Sequence, residues 1–263
     1  RLERYGATVP AFKNAAANLR EYLDGGRRFS DTLLVQYPGQ EWRYDAFFRA
    51  VDRLTQWLLV EHKVVPGAPI AIAMRNRPEW LIAFVAIINS GAVAVPLNSW
   101  GREQELQQGL EDSEATLIIC DAQRLAFVRA GDNTLPALVV EPKAGDASAQ
   151  EFATIITEEP ETLEPLPPLQ EADPALLLFT SGTSGRPKGV RLSHSNCCQA
   201  LMNLEFVGAS TYLTNQESMG RHLASPIPPK TLLAVPLFHV SGLFSQFIVN
   251  LHHGRSLYIM YKW

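Results

Sequence analysis

Short β-rich runs alternate with longer amphipathic runs from Thr32 onward, and this alternation limits the possible folds more strongly than any other pattern in the chain. Strands that alternate with helical segments predict βαβ units, in which helices cover a mainly parallel sheet. The predicted strands are 69–74, 92–97, 116–120, 138–140, 175–179, 190–192, 232–237 and 256–260. The predicted helices are 79–89, 102–113, 123–130, 196–206 and 244–251. The sequence therefore predicts an α/β fold.

Composition excludes several functional classes. Hydrophobic residues make up 46% of the 263 residues and the net charge is −4, so a core is expected and no excess cation is available for nucleic acid or an anionic membrane. The longest apolar run, 80–88, is shorter than the ~20 residues that a membrane span needs. The cysteines Cys120, Cys197 and Cys198 have no C-x-x-C spacing, which favours buried thiols in a reducing cytoplasm.

A change in composition divides the chain near its middle. Residues 141–171 are rich in Glu, Pro, Thr and Ala, and four prolines lie close together after residue 159, which is typical of an exposed connection. We therefore predict a first αβ subdomain over residues 1–170 and the beginning of a second over residues 171–263. A weakly patterned polar stretch, 208–230, is predicted to lie inside the second.

The segment 178–190 follows a predicted buried strand and reads LFTSGTSGRPKGV. Its glycines allow the backbone to turn its N–H groups inward and to approach a phosphate closely. Hydroxyl donors add to this, from Thr180, Ser181, Thr183 and Ser184. Lys188 supplies a compact cation for phosphate oxygens, and Pro187 restricts the backbone before it. The segment therefore predicts a cradle for a polyphosphate.

Other readings of this loop are weaker. Counted from Gly182, the Walker pattern G-x-x-x-x-G-K-[ST] fails at Pro187 and again at Gly189, and the G-x-G-x-x-G pattern is absent. A phosphotransferase would also need an acidic strand end of the Walker type, which the sequence lacks. A flexible Ser/Gly linker with one incidental lysine is the plainest alternative, but linkers seldom follow a buried strand directly.

Residues 180–190 closely resemble the phosphate-binding loop of the adenylate-forming superfamily, which includes acyl-CoA and aryl-CoA synthetases. Residues 76–80 and 89–98 are similar to an early family segment ending in V-P-L-N, and residues 190–196 to the usual continuation of the loop. Residues 235–243 resemble the P-L-F-H-x-x-G-L motif. The resemblance implies two stacked αβ subdomains with mainly parallel sheets flanked by helices, as in the N-terminal domain of these enzymes.

The resemblance also implies an activity. Family members join a carboxylic acid to ATP, which gives an acyl-adenylate and pyrophosphate, and most then transfer the acyl group to CoA. ATP, Mg²⁺ and CoA are the implied co-substrates, and no residue of this chain is assigned to a metal. The implied phosphate contacts are Thr180, Ser181, Gly182, Thr183, Ser184, Gly185 and Lys188. His239 is implied to lie beside the acyl carboxylate or the adenylate, with a packing histidine as the alternative.

The remaining histidines and the paired cysteines are predicted to be structural. His222, His252 and His253 have no partner motif, so we expect surface or packing roles. His194 is expected to cap a helix with its neighbours. Cys197 and Cys198 are expected to be buried at the start of that helix.

Several family motifs are absent between Arg1 and Trp263, namely the Y-G-x-T-E segment, the ribose-binding aspartate, the hinge and the C-terminal domain with its catalytic lysine. We therefore expect this chain to be the N-terminal portion of a longer synthetase, weak in nucleotide binding and inactive in adenylation by itself. A ligase that loads a carrier protein and a non-catalytic binding module are the alternatives.

Overall fold

The computed structural model describes residues 2–4, 7–131, 133–143, 150–159, 163–180, 187–223 and 229–260. Its strands are β1 Leu2–Arg4, β2 Ala7–Val9, β3 Leu33–Tyr37, β4 Gln40–Arg43, β5 Pro69–Ala73, β6 Val93–Pro96, β7 Leu117–Asp121, β8 Ala137–Val140, β9 Gln150–Glu151, β10 Pro174–Thr180, β11 Lys188–Ser193, β12 Lys230–Leu233 and β13 Ser256–Ile259. Its α-helices are α1 Leu19–Asp24, α2 Tyr44–Val60, α3 Pro78–Asn89, α4 Glu103–Ser113, α5 Ala122–Ala130, α6 Phe152–Thr157, α7 His194–Thr214, α8 Gln216–Leu223 and α9 Val249–His252. A 3-10 segment spans Gly25–Phe29 and a π-helical segment spans Ser241–Ile248.

Two mainly parallel sheets organise the described residues, as the sequence predicts for an α/β fold. One sheet has seven strands in the order β11-β10-β6-β5-β7-β8-β9, in which only β11 runs antiparallel to its neighbour. The other has the order β12-β13-β3-β4, with β4 antiparallel to β3. A short hairpin of β1 and β2 stands apart.

Helix α3 is the centre of the core. Pro78 occupies the first turn, where its missing N–H costs nothing, and Gly91 follows the helix with φ of 79°. All twelve residues of α3 are buried, which explains why the predicted helix is apolar on every side. It packs on β5 and β6 of the seven-stranded sheet and on α2, and the same core cluster extends to Leu257 of the four-stranded sheet.

Both sheets take strands from each side of residue 170. β10 and β11 extend the sheet that β5 to β9 form, and β3 and β4 complete the sheet that β12 and β13 form. The division into residues 1–170 and 171–263 stays a prediction. In the described residues the two segments share their sheets, so we expect them to fold together rather than independently.

The predicted connection 141–171 is wrong in part, because it contains β9 and helix α6. Phe152, Ile155 and Ile156 are buried on one face of α6. Their i, i+3, i+4 spacing is a helical pattern that the surrounding prolines and acidic residues obscure. Glu158 and Glu159 beyond it are exposed.

Helix α7 is longer than predicted, at both ends. It begins at His194 because the Ser193 side chain accepts from the Asn196 N–H while the Asn196 side chain accepts from the Ser193 N–H, a capping box. It runs to Thr214, and α8 follows it, so the segment 208–230 is largely helical in its described part. Serines, threonines and a glycine weaken the helical pattern there, which is why the sequence does not predict this part of the helix.

The predicted strand 232–237 is wrong in its bounds, because β12 spans Lys230–Leu233. Pro236 has no N–H for a sheet ladder. The backbone of Val235 and Leu237 instead bonds to the side chain of Asn76. The chain beyond β12 therefore continues as an irregular segment, which carries Phe238 and His239.

All three cysteines are free thiols in the core, as predicted for Cys197 and Cys198. Cys120 lies on β7, and Cys197 and Cys198 lie in the first turn of α7. Burial raises the pKa of the Cys197 thiol, which keeps it protonated and unreactive. Among the helices that the structure describes, none combines the length and the apolar character needed to cross a bilayer.

We predict that Phe84→Ala lowers the free energy of unfolding by about 3–5 kcal/mol, because it leaves a cavity in the centre of α3. The Phe84 ring is fully buried, with the Trp80 and Phe247 rings 5.6 and 6.1 Å away. Urea unfolding measures the change. Phe206→Ala is the control, since Phe206 is 61% exposed and the loss there should stay within about 0.5 kcal/mol. Equal losses for the two variants would contradict the central role of α3.

Candidate active site

The loop that the sequence singles out joins two paired strands. Thr180 ends β10 and Lys188 begins β11, and the two residues are direct antiparallel partners. Residues directly opposite each other in such a pair project to the same face of the sheet. The Thr180 hydroxyl also donates to the Lys188 carbonyl at 3.4 Å. The hydroxyl and the ammonium group therefore leave the sheet together, at the two ends of the loop.

The strand after the loop begins earlier than predicted. The sequence predicts the extended piece to begin at Val190, but β11 begins at Lys188, so Lys188 is a strand residue and not part of a loop. Residues 181–186 lie outside the described residues. They include five predicted phosphate contacts, namely Ser181, Gly182, Thr183, Ser184 and Gly185.

A cleft of about 800 Å³ lies beside this hairpin and brings separate parts of the chain together. Thr180, at the end of β10, and Pro187, directly before β11, line one part of it. Residues 96–98, which follow β6, form a second part of the wall, and residues 238–240 form a third. Three segments that the sequence identifies by motif, far apart along the chain, therefore share one cavity. Lys188 is exposed and does not itself line the cleft, although its strand partner Thr180 does.

His239 reaches the cleft from the irregular segment after β12. Its N–H donates to the Pro236 carbonyl at 3.1 Å, and its carbonyl accepts from the Leu243 N–H at 2.9 Å. These bonds form a turn that leads into the π-helical segment Ser241–Ile248. The imidazole is exposed on the cleft wall, with the Phe238 ring centred 6.0 Å away. His239 can therefore contact a molecule in the cleft.

Helix α4 supplies a wall that the sequence analysis did not assign to the site. Its residues in the cleft are Gln104, Glu105, Gln108, Gly109 and Asp112. The sequence does carry a signal for this wall, because the predicted helix 102–113 is more polar than the predicted helix 79–89 before it. Glu105 is fixed near the cleft because the Asn98 amide donates to its carboxylate at 2.7 Å. The cleft lining thus combines amides and carboxylates from α4 with apolar residues such as Leu178 and Phe179.

A second cavity, of about 460 Å³, lies at the carboxyl ends of β5 and β7. The Arg75 guanidinium stacks on the Trp100 ring there, 3.7 Å from the ring centre. Arg124 bonds the Asp121 carboxylate at 3.1 Å. Ligands of open α/β sheets often bind at this kind of strand end. This cavity is therefore a rival to the cleft as a nucleotide site.

Arg77, by contrast, is a structural residue. It precedes α3 and is buried between two carboxylates, with contacts of 2.7 Å to Glu79 and 2.9 Å to Glu141. A guanidinium that is paired on both sides has little capacity left for an incoming phosphate.

The other described histidines lie away from the cleft lining. His252 stacks on the Tyr22 ring, with centroids 4.1 Å apart, and its Nδ1 lies 2.8 Å from the Tyr22 carbonyl. His253 contacts the Glu205 carboxylate at 2.7 Å. These are packing roles, as predicted for both. The His222 side chain is outside the described part of the chain.

His194 is buried under α1, where its Nδ1 accepts from the Leu19 N–H at 3.2 Å. The prediction that it caps a helix is right in position, because it is the first residue of α7, but Ser193 provides the cap. Burial lowers the pKa of His194 to about 4. The imidazole is therefore neutral at physiological pH and serves as a hydrogen-bond acceptor for α1.

Metal ligation has no candidate among the described side chains. No group of three or more His, Cys, Asp or Glu residues lies close enough to hold an ion in the ranges that the structure describes.

Comparison with known proteins adds to this geometry. The sequence model for AMP-binding enzymes matches residues 24–263. An oxalate–CoA ligase of Arabidopsis thaliana is 27% identical over 209 residues, which cover 79% of this chain and 38% of that protein. A hybrid PKS-NRPS synthetase of Acremonium sp is 30% identical over 193 residues, 72% of this chain and 4% of that protein.

The fold also has solved counterparts. The N-terminal domain of FACL13 from Mycobacterium tuberculosis superposes with a TM-score of 0.71 at 21% identity, and the match covers 94% of this chain and 58% of that chain. The chain spans only 38% to 42% of the length of the plant CoA ligases that it matches.

We predict that the buried neutral His194 makes stability fall as the pH falls from 6.5 to about 4. In this window the unfolded imidazole takes up a proton and the folded one does not, so up to about 3 kcal/mol is lost. Above pH 6.5 the two states bind equal numbers of protons at this site, and the effect ends.

Urea unfolding of the wild type and of His194→Gln between pH 4 and 7.5 measures this difference. The variant should show a shallower slope over the acid part of the range. His239→Gln is the control, because it removes an imidazole that is exposed and not packed under α1. Parallel pH profiles for the wild type and His194→Gln would disprove the assignment.

Proposed function

The chain belongs to the AMP-binding enzyme family, and we propose that it forms the nucleotide-binding portion of an AMP-forming acid–thiol ligase. In this proposal the reaction joins a carboxylic acid to ATP, releases pyrophosphate, and passes the acyl group of the adenylate to a thiol. CoA is the proposed acceptor, because the curated relatives include CoA ligases.

One observation carries the proposal, namely that the three motif segments meet in one cleft. Thr180 and Pro187 flank the predicted phosphate loop, residues 96–98 end the V-P-L-N segment, and His239 belongs to the P-L-F-H segment. Nothing about their spacing along the chain requires this meeting. A cleft that joins a phosphate-binding hairpin to a histidine suits a reaction between two anions.

The first step is an in-line displacement at the α-phosphate. A carboxylate oxygen of the acid bonds to the α-phosphorus, and the bond to the pyrophosphate oxygen breaks. Negative charge moves to the leaving pyrophosphate, so donors near the β and γ phosphates stabilise the transition state more than the ground state. The Thr180 hydroxyl and the Lys188 ammonium, which share a face of the hairpin, are proposed for this role together with the loop hydroxyls and N–H groups of residues 181–185.

His239 is proposed to act at the other reacting group. An imidazole on the cleft wall can donate to the carboxylate of the acid, or to the carbonyl of the adenylate, and hold it for attack. The apolar residues of the cleft, Leu97, Phe179 and Phe238 among them, would exclude water from the adenylate. Mg²⁺ is proposed to arrive bound to ATP and to neutralise phosphate charge.

The second step is attack of a thiol sulfur on the acyl carbon, with AMP as the leaving group. The match to a hybrid PKS-NRPS synthetase favours a second possible acceptor, the thiol of a carrier protein. Fatty acids are one proposed class of substrate acid, and the cytoplasm is the proposed location. We further propose that this chain binds nucleotide weakly by itself and does not complete adenylation.

A panel of carboxylic acids tests the activity. Acids of graded chain length and aromatic acids are offered with ATP to the intact parent enzyme, and exchange of labelled pyrophosphate into ATP reports adenylate formation. Exchange that depends on one class of acid supports a ligase. Absence of exchange with every acid, although the chain binds AMP, would instead favour a non-catalytic binding module. Robust acid-dependent exchange by the 263-residue chain alone would overturn its proposed inactivity.

We predict that Lys188→Ala weakens ATP and pyrophosphate binding by about tenfold or more, the usual loss for a hydrogen bond to a charged group. Binding is followed by NMR titration of the chain, which tolerates weak affinity. Arg191→Ala is the matched control, because Arg191 is also exposed on β11 but three residues further along, and so projects from the opposite face. Equal losses in the two variants would show that Lys188 contributes only general charge.

We predict that His239→Ala weakens the binding of an acyl-adenylate analogue by about tenfold but changes the affinity for ATP by less than about twofold. The variant loses one hydrogen bond at the acid and none at the β and γ phosphates. His239→Asn retains a donor and should recover part of the loss. A similar loss for both ligands would remove His239 from the acid side of the cleft.

A further inference from the structure

Asn76 joins two of the motif segments by a pair of hydrogen bonds. Its amide Nδ2 donates to the Val235 carbonyl and its Oδ1 accepts from the Leu237 N–H, both at 2.9 Å. Asn76 lies in the turn between β5 and α3, 159 and 161 residues away from its partners. The contact is partly buried, so water competes with it only weakly.

The Asn76 side chain makes the kind of hydrogen bonds that a neighbouring strand would make with residues 235–237. A side-chain amide offers one donor and one acceptor in the arrangement of a backbone peptide group, and here it meets a C=O and an N–H two residues apart. β12 ends at Leu233, and no described strand pairs with residues 235–237. Without Asn76, the Val235 carbonyl and the Leu237 N–H would lose these hydrogen-bond partners. Pro236 between them has no N–H of its own.

The same segment is confined from its other side by Gly242. A Cβ added to Gly242 would lie 2.3 Å from the Pro236 carbonyl oxygen and 3.0 Å from that of Val235. The π-helical segment therefore packs directly against this backbone. Leu237 between them is fully buried. The segment has little room to move as long as the Asn76 bonds persist.

The position of this segment sets the walls of two cavities. Asn76 and Pro236 line the smaller cavity, which also contains Arg75, whereas Phe238 and His239 line the larger cleft. Along the chain, only Leu237 separates Pro236 in the wall of the smaller cavity from Phe238 in the wall of the cleft. A shift of Leu237 would therefore move the His239 imidazole within the cleft.

We propose that Asn76 is a positioning residue, which fixes the backbone of Val235 and Leu237 and thereby the place of His239 in the cleft. The proposal rests on the proposed function only where it concerns ligand binding. Its structural part, the placement of His239, is measurable without any ligand.

The chain provides two matched controls of the same chemistry. The Gln56 side chain donates to the Glu164 carbonyl at 3.0 Å and accepts from the Glu164 N–H at 2.7 Å. The Gln199 side chain accepts from the Phe12 N–H at 2.8 Å and donates to the Phe12 carbonyl at 3.2 Å. Each joins an irregular segment to a helix, and neither residue lines the cleft.

The test compares Asn76→Ala and Asn76→Asp with Gln56→Ala and Gln199→Ala. The aspartate keeps the shape and the acceptor but turns a second oxygen toward the Val235 carbonyl, so the donor bond is lost. The imidazole C–H signal of His239 is followed by NMR in each variant. Both Asn76 variants should shift or broaden this signal, and the glutamine variants should leave it in place although their urea midpoints fall.

An unchanged His239 signal in the folded Asn76 variants would overturn the proposal, as would equal shifts in the glutamine variants. Hydrogen exchange of the wild-type Leu237 amide decides the case if neither Asn76 variant folds. Slow exchange supports the hydrogen bond from the Leu237 N–H to Asn76, because no described strand protects that amide. Exchange at the rate of an exposed loop would overturn it.

Titration of an acyl-adenylate analogue connects Asn76 to ligand binding. Asn76→Asp should weaken binding of the analogue by up to about tenfold, the loss expected for His239→Ala, whereas Gln56→Ala and Gln199→Ala should stay within about twofold of the wild type. An unchanged affinity for the analogue in Asn76→Asp would overturn the functional part of the proposal. Failure of the wild type to bind the analogue would contradict the proposed function instead, and the His239 signal would still decide whether Asn76 positions the segment.

Discussion

Burial of α3 is the constraint on which the remaining structure depends. A helix that is buried on every side must be covered all round, and α3 packs against β5 and β6, against α2 and, through Phe84, against Phe247 of the π-helical segment. This holds the carboxyl end of β10 and the segment after β12 near each other, although they belong to different sheets. The packing of α3 and the Asn76 bonds to Val235 and Leu237 together hold the walls of the cleft in place.

The chemistry of the cleft follows from what each wall contributes. The hairpin lines the cleft with Thr180 and places Lys188 beside it, because antiparallel partners project from the same face of the sheet. The irregular segment presents His239, and helix α4 presents carboxylates and amides. A net charge of −4 makes such local cations and donors necessary, since the surface as a whole repels anions. The site therefore concentrates its attraction for phosphate at one hairpin.

Much of this could be predicted from the sequence, because βαβ units have strong local signals. The bounds of β5, α3 and α4 lie within a residue of prediction, since proline, glycine and apolar periodicity mark them. The strand 232–237 could not be predicted correctly, because its end depends on a bond from Asn76, far away in the chain. The polar wall of α4 was missed for a related reason. A polar helix face is expected to meet solvent, and only the tertiary structure shows that it meets a cleft.

Two cavities compete for the nucleotide, and one measurement separates them. ATP is titrated into isotope-labelled chain while backbone amide shifts are followed by NMR. Binding in the cleft predicts the largest shifts at Thr180, Lys188 and His239, with little change at Arg75 and Arg124. Shifts centred on Arg75 and Arg124, or no saturable shift at Thr180 and Lys188, would contradict the assignment of the cleft.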